Sequence, residues 1–345
     1  MKKTLLLIAA GLLSVTVSQA VTEAYSPPVG GNLITLNGAV SGVPKITTFS
    51  LALRLPVSGA FVGRARGTLT GVSLTSFTDS QAGWSAGALS VPSAPYFIRI
   101  RSGAAAGTWW QISTSVANTA SVATILNRGI DPAAIGITTG DQYEIVPGDT
   151  LANLFGGLAG TIGGVSAATA DAVRIHDGVS WKEYYYNTTV SKWREGAATF
   201  DKSNTVIRPD SGVVYVRRAA GNVSFAMLGS VSNAQEQISV NPTGVTFVGS
   251  VFPVGRTLGS LNVQTMPGFV MNTGTLTAAD KVTVFDGVSW HTYQYNSSVA
   301  QWREGAATFN KNNFALPFGA PIIIERGSGA TGGVVFLNLQ PPYSI

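Results

Sequence analysis

Gly83-Trp84-Ser85-Ala86-Gly87 carries the G-x-S-x-G spacing that lifts a serine nucleophile onto a strained strand-to-helix turn. Such a serine needs an acid and a histidine later in the chain and a helix directly behind it. Here Ala88-Leu89-Ser90-Val91-Pro92 follows, and a helix does not run through Pro92, whose nitrogen has no proton to donate. Gly327-Ser328-Gly329-Ala330-Thr331-Gly332 matches G-x-G-x-x-G after an apolar run. A dinucleotide site requires a helix next, with its N-terminus facing phosphate; Gly333-Val334-Val335-Phe336-Leu337 reads instead as a strand, so the glycines predict a hairpin loop. Glu195 and Glu304 stand at the same place in two Trp-Arg-Glu-Gly-Ala segments. Paired carboxyls can serve as the acid and base of glycoside hydrolysis, but each acid has its own arginine beside it, which suits a stabilised turn. With no Cys, only two histidines (His176 and His291) and no D-x-D-x-D-G loop, metal ligation has little to draw on. No residue is assigned a catalytic, cofactor-binding or metal role, and the chain is read as non-enzymatic with no cofactor.

The residues that do stand out come in pairs. Residues 173–200 align without a gap on residues 282–309, identical at 18 of 28 positions with an offset of 109. Such a match marks a duplication. Each copy holds Asp-Gly, then Trp, then a Tyr-x-Tyr-Asn run, then Trp-Arg-Glu. The Asp carboxylate can accept backbone N–H groups in a turn and Gly tolerates positive φ, so Asp177-Gly178 and Asp286-Gly287 are structural turns. Flat aromatics beside acids and amides are also how many carbohydrate-binding modules stack on sugar rings. On that reading the stacking residues are Trp181, Tyr185, Trp290 and His291. The competing reading is that cross-strand aromatics only hold a small sheet together. Positions that differ between the copies, such as Lys182 against His291 or Tyr185 against Gln294, suit a site better than positions that repeat. Trp193 and Trp302 are expected in the core.

The elements around these residues are short strands. Runs such as Tyr96-Phe97-Ile98-Arg99-Ile100 and Val213-Val214-Tyr215-Val216 are punctuated by Gly- or Asn-containing turns, and long helical periodicity is absent. The fold class is therefore all-β, built of several small antiparallel modules of sandwich or barrel type, two of them homologous repeats. Asp149 before Leu151-Ala152-Asn153-Leu154-Phe155 and Gly156 after it predict a short helix with an Asp cap and a Gly stop; Asp131-Pro132-Ala133-Ala134 suggests another helical turn. The Gly-rich stretch 156–164 reads as a linker. The domain plan is a signal peptide at 1–20, an N-terminal β module at 21–155, and repeat modules at 156–230 and 231–345.

Lys2-Lys3, the apolar run after them and Ser18-Gln19-Ala20 form a secretory signal peptide with cleavage after Ala20. Export to the periplasm, cell surface or medium follows. The first residue after cleavage is Val21, not Cys, so a bacterial lipid anchor is excluded, and no later run is apolar for long enough to span a membrane as a helix. The formal charge of +5 includes the two leader lysines and is dispersed, which argues against nucleic acid as a partner. Charged residues make up 11% of the chain, so an apolar core must carry stability without disulfides.

Residues 96–112 ("YFIRIRSGAAAGTWWQI"), residues 140–155 ("GDQYEIVPGDTLANLF") and the D-G-x-x-W…Y-x-Y-N…W-R units together resemble an uncharacterised family of exported proteins from Verrucomicrobia-like bacteria. Members often start with D-P-V-G after the signal peptide; Ser26-Pro27-Pro28-Val29-Gly30 is a variant lacking the acid. The resemblance implies export and a shared fold, and it brings no catalytic residue. The expected role is a non-enzymatic surface or extracellular component with polysaccharide or other surface proteins as partners. Carbohydrate binding through the repeat aromatics is the alternative, and a hydrolase of unfamiliar design a distant one.

Overall fold

The computed structural model describes residues 29–53, 63–273 and 278–343; the signal peptide expected at 1–20 and Ser26-Pro27-Pro28 lie outside the described residues. Among the described residues strands account for 41% and helices for 6%, in several small antiparallel sheets, none of which closes into a barrel. No described helix is long and apolar enough to cross a membrane.

The duplicated unit is larger than the sequence match. Its centre is a five-stranded sheet in which the meander Ala172–His176, Trp181–Asn187 and Lys192–Glu195 continues through Gly212–Arg217 to Lys45–Ser50. The second copy repeats it with Lys281–Phe285, Trp290–Asn296, Gln301–Glu304, Ile322–Glu325 and Val245–Val248. Registers agree as well: Phe49 lies opposite Val213 as Val248 lies opposite Ile322. A two-stranded ribbon covers each sheet, Val29–Leu36 with Val223–Ser230 in one copy and Glu236–Val240 with Val335–Leu339 in the other. The turns match in backbone conformation. Gly178 and Gly287 both have φ of 101°, and Ser191 and Ala300, which are not glycines, both have φ of 53°. A left-handed residue at the same hairpin position in both copies is part of the inherited turn.

Between Lys45–Ser50 and the short strand Asp149–Thr150 the first copy carries residues 63–148, which form their own eight-stranded sheet. In the second copy the corresponding connection runs only from Val248 to Arg256. The sheet pairing therefore does not follow the expected boundary at residues 155 and 156. Strands Val29–Leu36 and Lys45–Ser50 pair with residues 212–230, so the first repeat encloses the third module instead of following it. A repeat search misses this because only the central meander keeps its residues, while the enclosing strands need only an apolar alternation.

Two local expectations change. The helix Leu151–Phe155 is capped by Thr150, whose Oγ1 accepts from the Asn153 backbone N at 3.1 Å; Asp149 instead pairs in a strand opposite Ile207, and burial pushes its carboxyl up to about 6. The glycines at 156–164 are not an open linker either. Gly156–Leu158 and Ala159–Ile162 continue as helical turns, and buried Phe155 and Ile162 pin them to the core. Residues 131–137 form a hydrogen-bonded turn, with Asp131 Oδ1 accepting from the Ala133 N.

Each unit has one apolar core. In the first copy Trp193, Phe155, Tyr215 and Phe49 pack between sheet, ribbon and helix; in the second, Trp302, Tyr293, Phe252 and Ile324 do the same. Beneath each sheet lies a buried ion pair at equivalent positions. Arg217 Nη1 donates to Asp171 Oδ2 at 2.7 Å, and Arg326 Nε lies 3.1 Å from Asp280 Oδ2. The spare oxygen of each aspartate accepts the next backbone N–H, from Arg218 and Gly327. A buried pair is tolerable when such bonds use its remaining capacity, which the second copy does only in part, since Arg326 Nη1 is buried without a hydrogen-bond partner.

The copies meet through nearly matching surfaces. Gly212 lies against Pro321, its own counterpart, and a Cβ there would collide with the proline ring. Ser50 Oγ accepts from the Ser250 N at 2.8 Å, and Gly249 N donates to Asp210 O at 3.0 Å. The enclosed module is tied to the second copy by Glu236, which is fully buried and holds Arg99 at 2.9 Å and Trp109 Nε1 at 2.8 Å. Three modules thus converge near Asp210.

Candidate functional site

At each repeat hairpin the aspartate does turn work. Asp177 Oδ1 accepts from the Val179 and Ser180 N–H groups at 2.8 Å each, and Asp286 Oδ1 accepts from Val288 and Ser289 at 2.7 and 2.8 Å. Those bonds favour the charged form, and both carboxyls are held below the usual carboxylate range. Gly178 and Gly287 supply the positive φ that follows.

The other oxygen of each aspartate faces a cation that also faces the glutamate of the next strand. In the first copy Lys182 Nζ lies 3.7 Å from Asp177 and 3.9 Å from Glu195, and Lys202 completes the row at 2.8 Å from Glu195. In the second copy His291 takes the place of Lys182. Its Nδ1 is 2.6 Å from Glu304 and its Nε2 2.9 Å from Asp286, with Lys311 3.3 Å from Glu304. Hydrogen bonding to Glu304, above all, raises the His291 pKa from its ordinary value. A ring clamped between two carboxylates favours the imidazolium, which donates from both nitrogens. Glu195 and Glu304 each belong to their own row, in keeping with a turn-stabilising role.

The tryptophans divide into two classes. Trp193 and Trp302 are 2% and 0% exposed, whereas Trp181 and Trp290 keep 40% and 37% of their surface in solvent. Trp181 meets His176 edge-on at 5.3 Å and Phe247 at 5.0 Å, and Trp290 packs on Phe285 at 5.2 Å. Tyr185 is only 8% exposed, so its ring offers no free face for stacking; its strand is covered on both sides where Trp181, at the strand end, is not. His291 is part-exposed but engaged by the two acids on its edge.

Gly83–Gly87 lies in a loop, where Ser85 O accepts from Asn118 Nδ2, and no helix follows it. Gly327–Gly332 is a loop between two strands, as its sequence implies. Among the described residues no group of three His, Asp or Glu side chains converges as a metal site.

A further set of residues was not legible in any motif. Where the three modules meet, a groove of about 310 Å³, open to solvent, is lined by Arg128 of the enclosed module, His176, Arg208 and Asp210 of the first copy, and Ser239 and Phe247 of the second. An adjoining hollow of about 320 Å³ shares Arg128, Arg208, Asp210 and Ser239 and extends to Asn127 and Trp109. Arg208 is committed, in a bidentate pair with Asp210 at 2.8 and 2.7 Å and over the Phe97 ring at 5.6 Å. Arg128 is not: its one hydrogen bond is a long one, 3.5 Å, to the Asp177 carbonyl. Burial, then the charge of Arg208, lowers the Arg128 pKa, and burial lowers that of His176. A further hollow, also open to solvent, lies against the second copy's core and is walled by residues such as Val248, Phe252 and Leu316, with few polar groups. The one signal that bears on the groove is a difference between copies. His176, Arg208 and Asp210 correspond to Phe285, Pro317 and Gly319.

No family model, no curated protein and no solved structure matches the chain.

Proposed function

We propose that this chain is a non-enzymatic binding protein of the cell exterior that engages polysaccharide through the hairpin tryptophans Trp181 and Trp290. The observation that carries this reading is the division of the repeated tryptophans: two are spent on the cores, and two at equivalent hairpin positions stay open to solvent. An exposed indole suits a sugar, whose C–H faces stack on the ring. The Asp–cation–Glu row is not a polar rim to these rings: His291 packs on Tyr293, across the strand from Trp290, and Lys182 is placed likewise relative to Trp181. Placement outside the cell rests on the leader sequence and on the resemblance to exported proteins. Two weak platforms on one rigid body act together on a polymer, because the second contact is intramolecular once the first is made.

Retention of the mature protein on insoluble polysaccharides, backed by a glycan array, tests this. Trp181→Ala and Trp290→Ala are each expected to weaken retention, and the double variant to lose far more than either alone, with melting temperatures checked in parallel. Retention unchanged in the double variant, or no polysaccharide retained at all, overturns the reading.

A further inference from the structure

The duplication provides an internal control for the groove at the three-module junction. Because the copies face each other through nearly matching surfaces, each side of their contact has an equivalent position on the other. The residues opposite Asp210 and Ser239 are Gly319 and Asn32, and Gly319 does lie close to Asn32: a Cβ at Gly319 would stand 3.9 Å from the Asn32 Nδ2. The positions there that correspond to His176, Arg208 and Asp210 hold Phe285, Pro317 and Gly319. The backbone therefore needs neither the histidine nor the Arg208–Asp210 pair. On the first-copy side all three are charged or polar, and the enclosed module adds Arg128.

Arg128 is the residue that packing explains least. It is exposed and forms no ion pair among the described residues, although the charges of Asp210 and Asp177 act on it favourably, and it sits beside a second arginine that is itself paired with Asp210. Its backbone has a φ of 51°, uncommon for a residue other than glycine. It also crowds the Asp177-Gly178 turn: a Cβ at Gly178 would collide with its guanidinium, whereas nothing lies near Gly287 in the other copy. Like-charge proximity and partial desolvation both cost free energy, and an incoming anion offsets both.

We propose that this groove binds the carboxylate of an acidic sugar, with Arg128 as the residue that receives it. The planar guanidinium presents two parallel N–H donors, a match for a carboxylate's two oxygens. Asn127, Ser239 and Thr246 offer neutral donors and acceptors for hydroxyls. Phe247 forms an apolar wall and packs on Trp181 at 5.0 Å, so a chain lying on the Trp181 ring leads toward the groove. The inference rests on the polysaccharide reading and sharpens it, naming a uronic-acid polymer as the ligand on the first-copy side.

Calorimetric titration of the mature chain with tetragalacturonate and with neutral galactotetraose tests this. At least a tenfold tighter affinity for the uronate is expected, declining as salt rises. Arg128→Gln is expected to bring the uronate down to the level of the neutral sugar, with Arg128→Lys between the two. Ser239→Trp, which fills the groove and leaves Arg128 in place, is expected to do the same. Trp290→Ala, on the other copy, should leave the preference intact. A preference that survives Arg128→Gln and Ser239→Trp, an equal affinity for both sugars, or no uronate binding at millimolar concentration overturns the proposal. Sodium sulfate that competes as well as the uronate also overturns it, since the groove would then accept any oxyanion. Retention on neutral polysaccharide through Trp290 reports separately on the preceding reading.

Discussion

The two copies of the repeat share their buried framework and differ at its edges. Both keep the tryptophan in the core, the aspartate–arginine pair beneath the sheet and the Asp-Gly turn with one backbone conformation. They part at the hairpin cation, Lys182 against His291, and at the junction, where His176, Arg208 and Asp210 face Phe285, Pro317 and Gly319. What recurs is what the meander needs in order to fold. What differs has been free to acquire other uses, and only the first copy has a third module leaning over it.

The largest effects should come from the shared framework, and they should be alike in both copies. Trp193→Ala and Trp302→Ala each empty a large buried site and are expected to cost about 3–5 kcal/mol in denaturant melts. A copy that tolerates the loss would break the equivalence of the two cores. Asp280→Ala leaves the Arg326 guanidinium buried without its partner, at a cost of about 3–5 kcal/mol, and Asp171→Ala does the same to Arg217. Tyr215 also donates to Asp171, at 2.8 Å, a bond that the second copy lacks because Ile324 stands there, so the first-copy variant should be the more harmed of the two.

The turn aspartates should matter less. Asp177→Ala and Asp286→Ala each strand two backbone N–H groups that solvent can partly satisfy, so midpoints should fall by less than in the framework variants. Asp→Asn should be milder still, since an amide oxygen accepts the same bonds. Equal losses from Ala and Asn would mean that charge, not the turn, is what the carboxylate provides.

The smallest effect separates the copies by pH. His291 has a folded pKa raised above its ordinary value of 6.5, so its contribution to stability is complete below that value and is lost as pH rises through the raised one. Lys182 holds the same place in the first copy. His291→Lys should therefore flatten the decline in melting temperature across neutral pH, and Lys182→His should add to it. His176 runs the other way, since burial lowers its pKa, and His176→Phe should leave the slope at neutral pH unaltered. A slope indifferent to His291→Lys would show that the two acids do not hold the imidazolium.

The all-β class and the core meander were legible because alternation, Asp-Gly turns and a gapless repeat are local signals. Burial of Trp193 and Trp302 followed from their place on the third strand of that meander. The limits of the first copy were not legible, because strands Val29–Leu36 and Lys45–Ser50 share no phrase with their counterparts and find their partners only across the enclosed module. Thr150 displaced Asp149 as the helix cap because the strand pairing with Ile207 runs one residue further than turn chemistry alone implies. For the site, the expectation that differing positions matter pointed to Lys182 and His291, which take the same place between the turn aspartate and the next strand's glutamate. It did not reach Arg128, whose importance depends on three modules meeting, and it misplaced Tyr185, which lies where the strand is covered on both faces.

The enclosure of residues 63–148 also sets an order of assembly. Thr35 bonds to Ser224, 189 positions later, while in the second copy Gln235 and Gln340 meet across 105. As the chain emerges from N to C, the opening strands of the first repeat wait unpaired until its last strands have been made, and a long open loop closes slowly. Residues 63–148 pair among themselves in the meantime and, once folded, bring the Ser50 and Asp149 ends back together, which shortens the loop still to be closed. The module that leans over the groove is thus also the clasp that lets the first repeat find its own beginning, and a variant that cripples its sheet should delay the first copy while sparing the second.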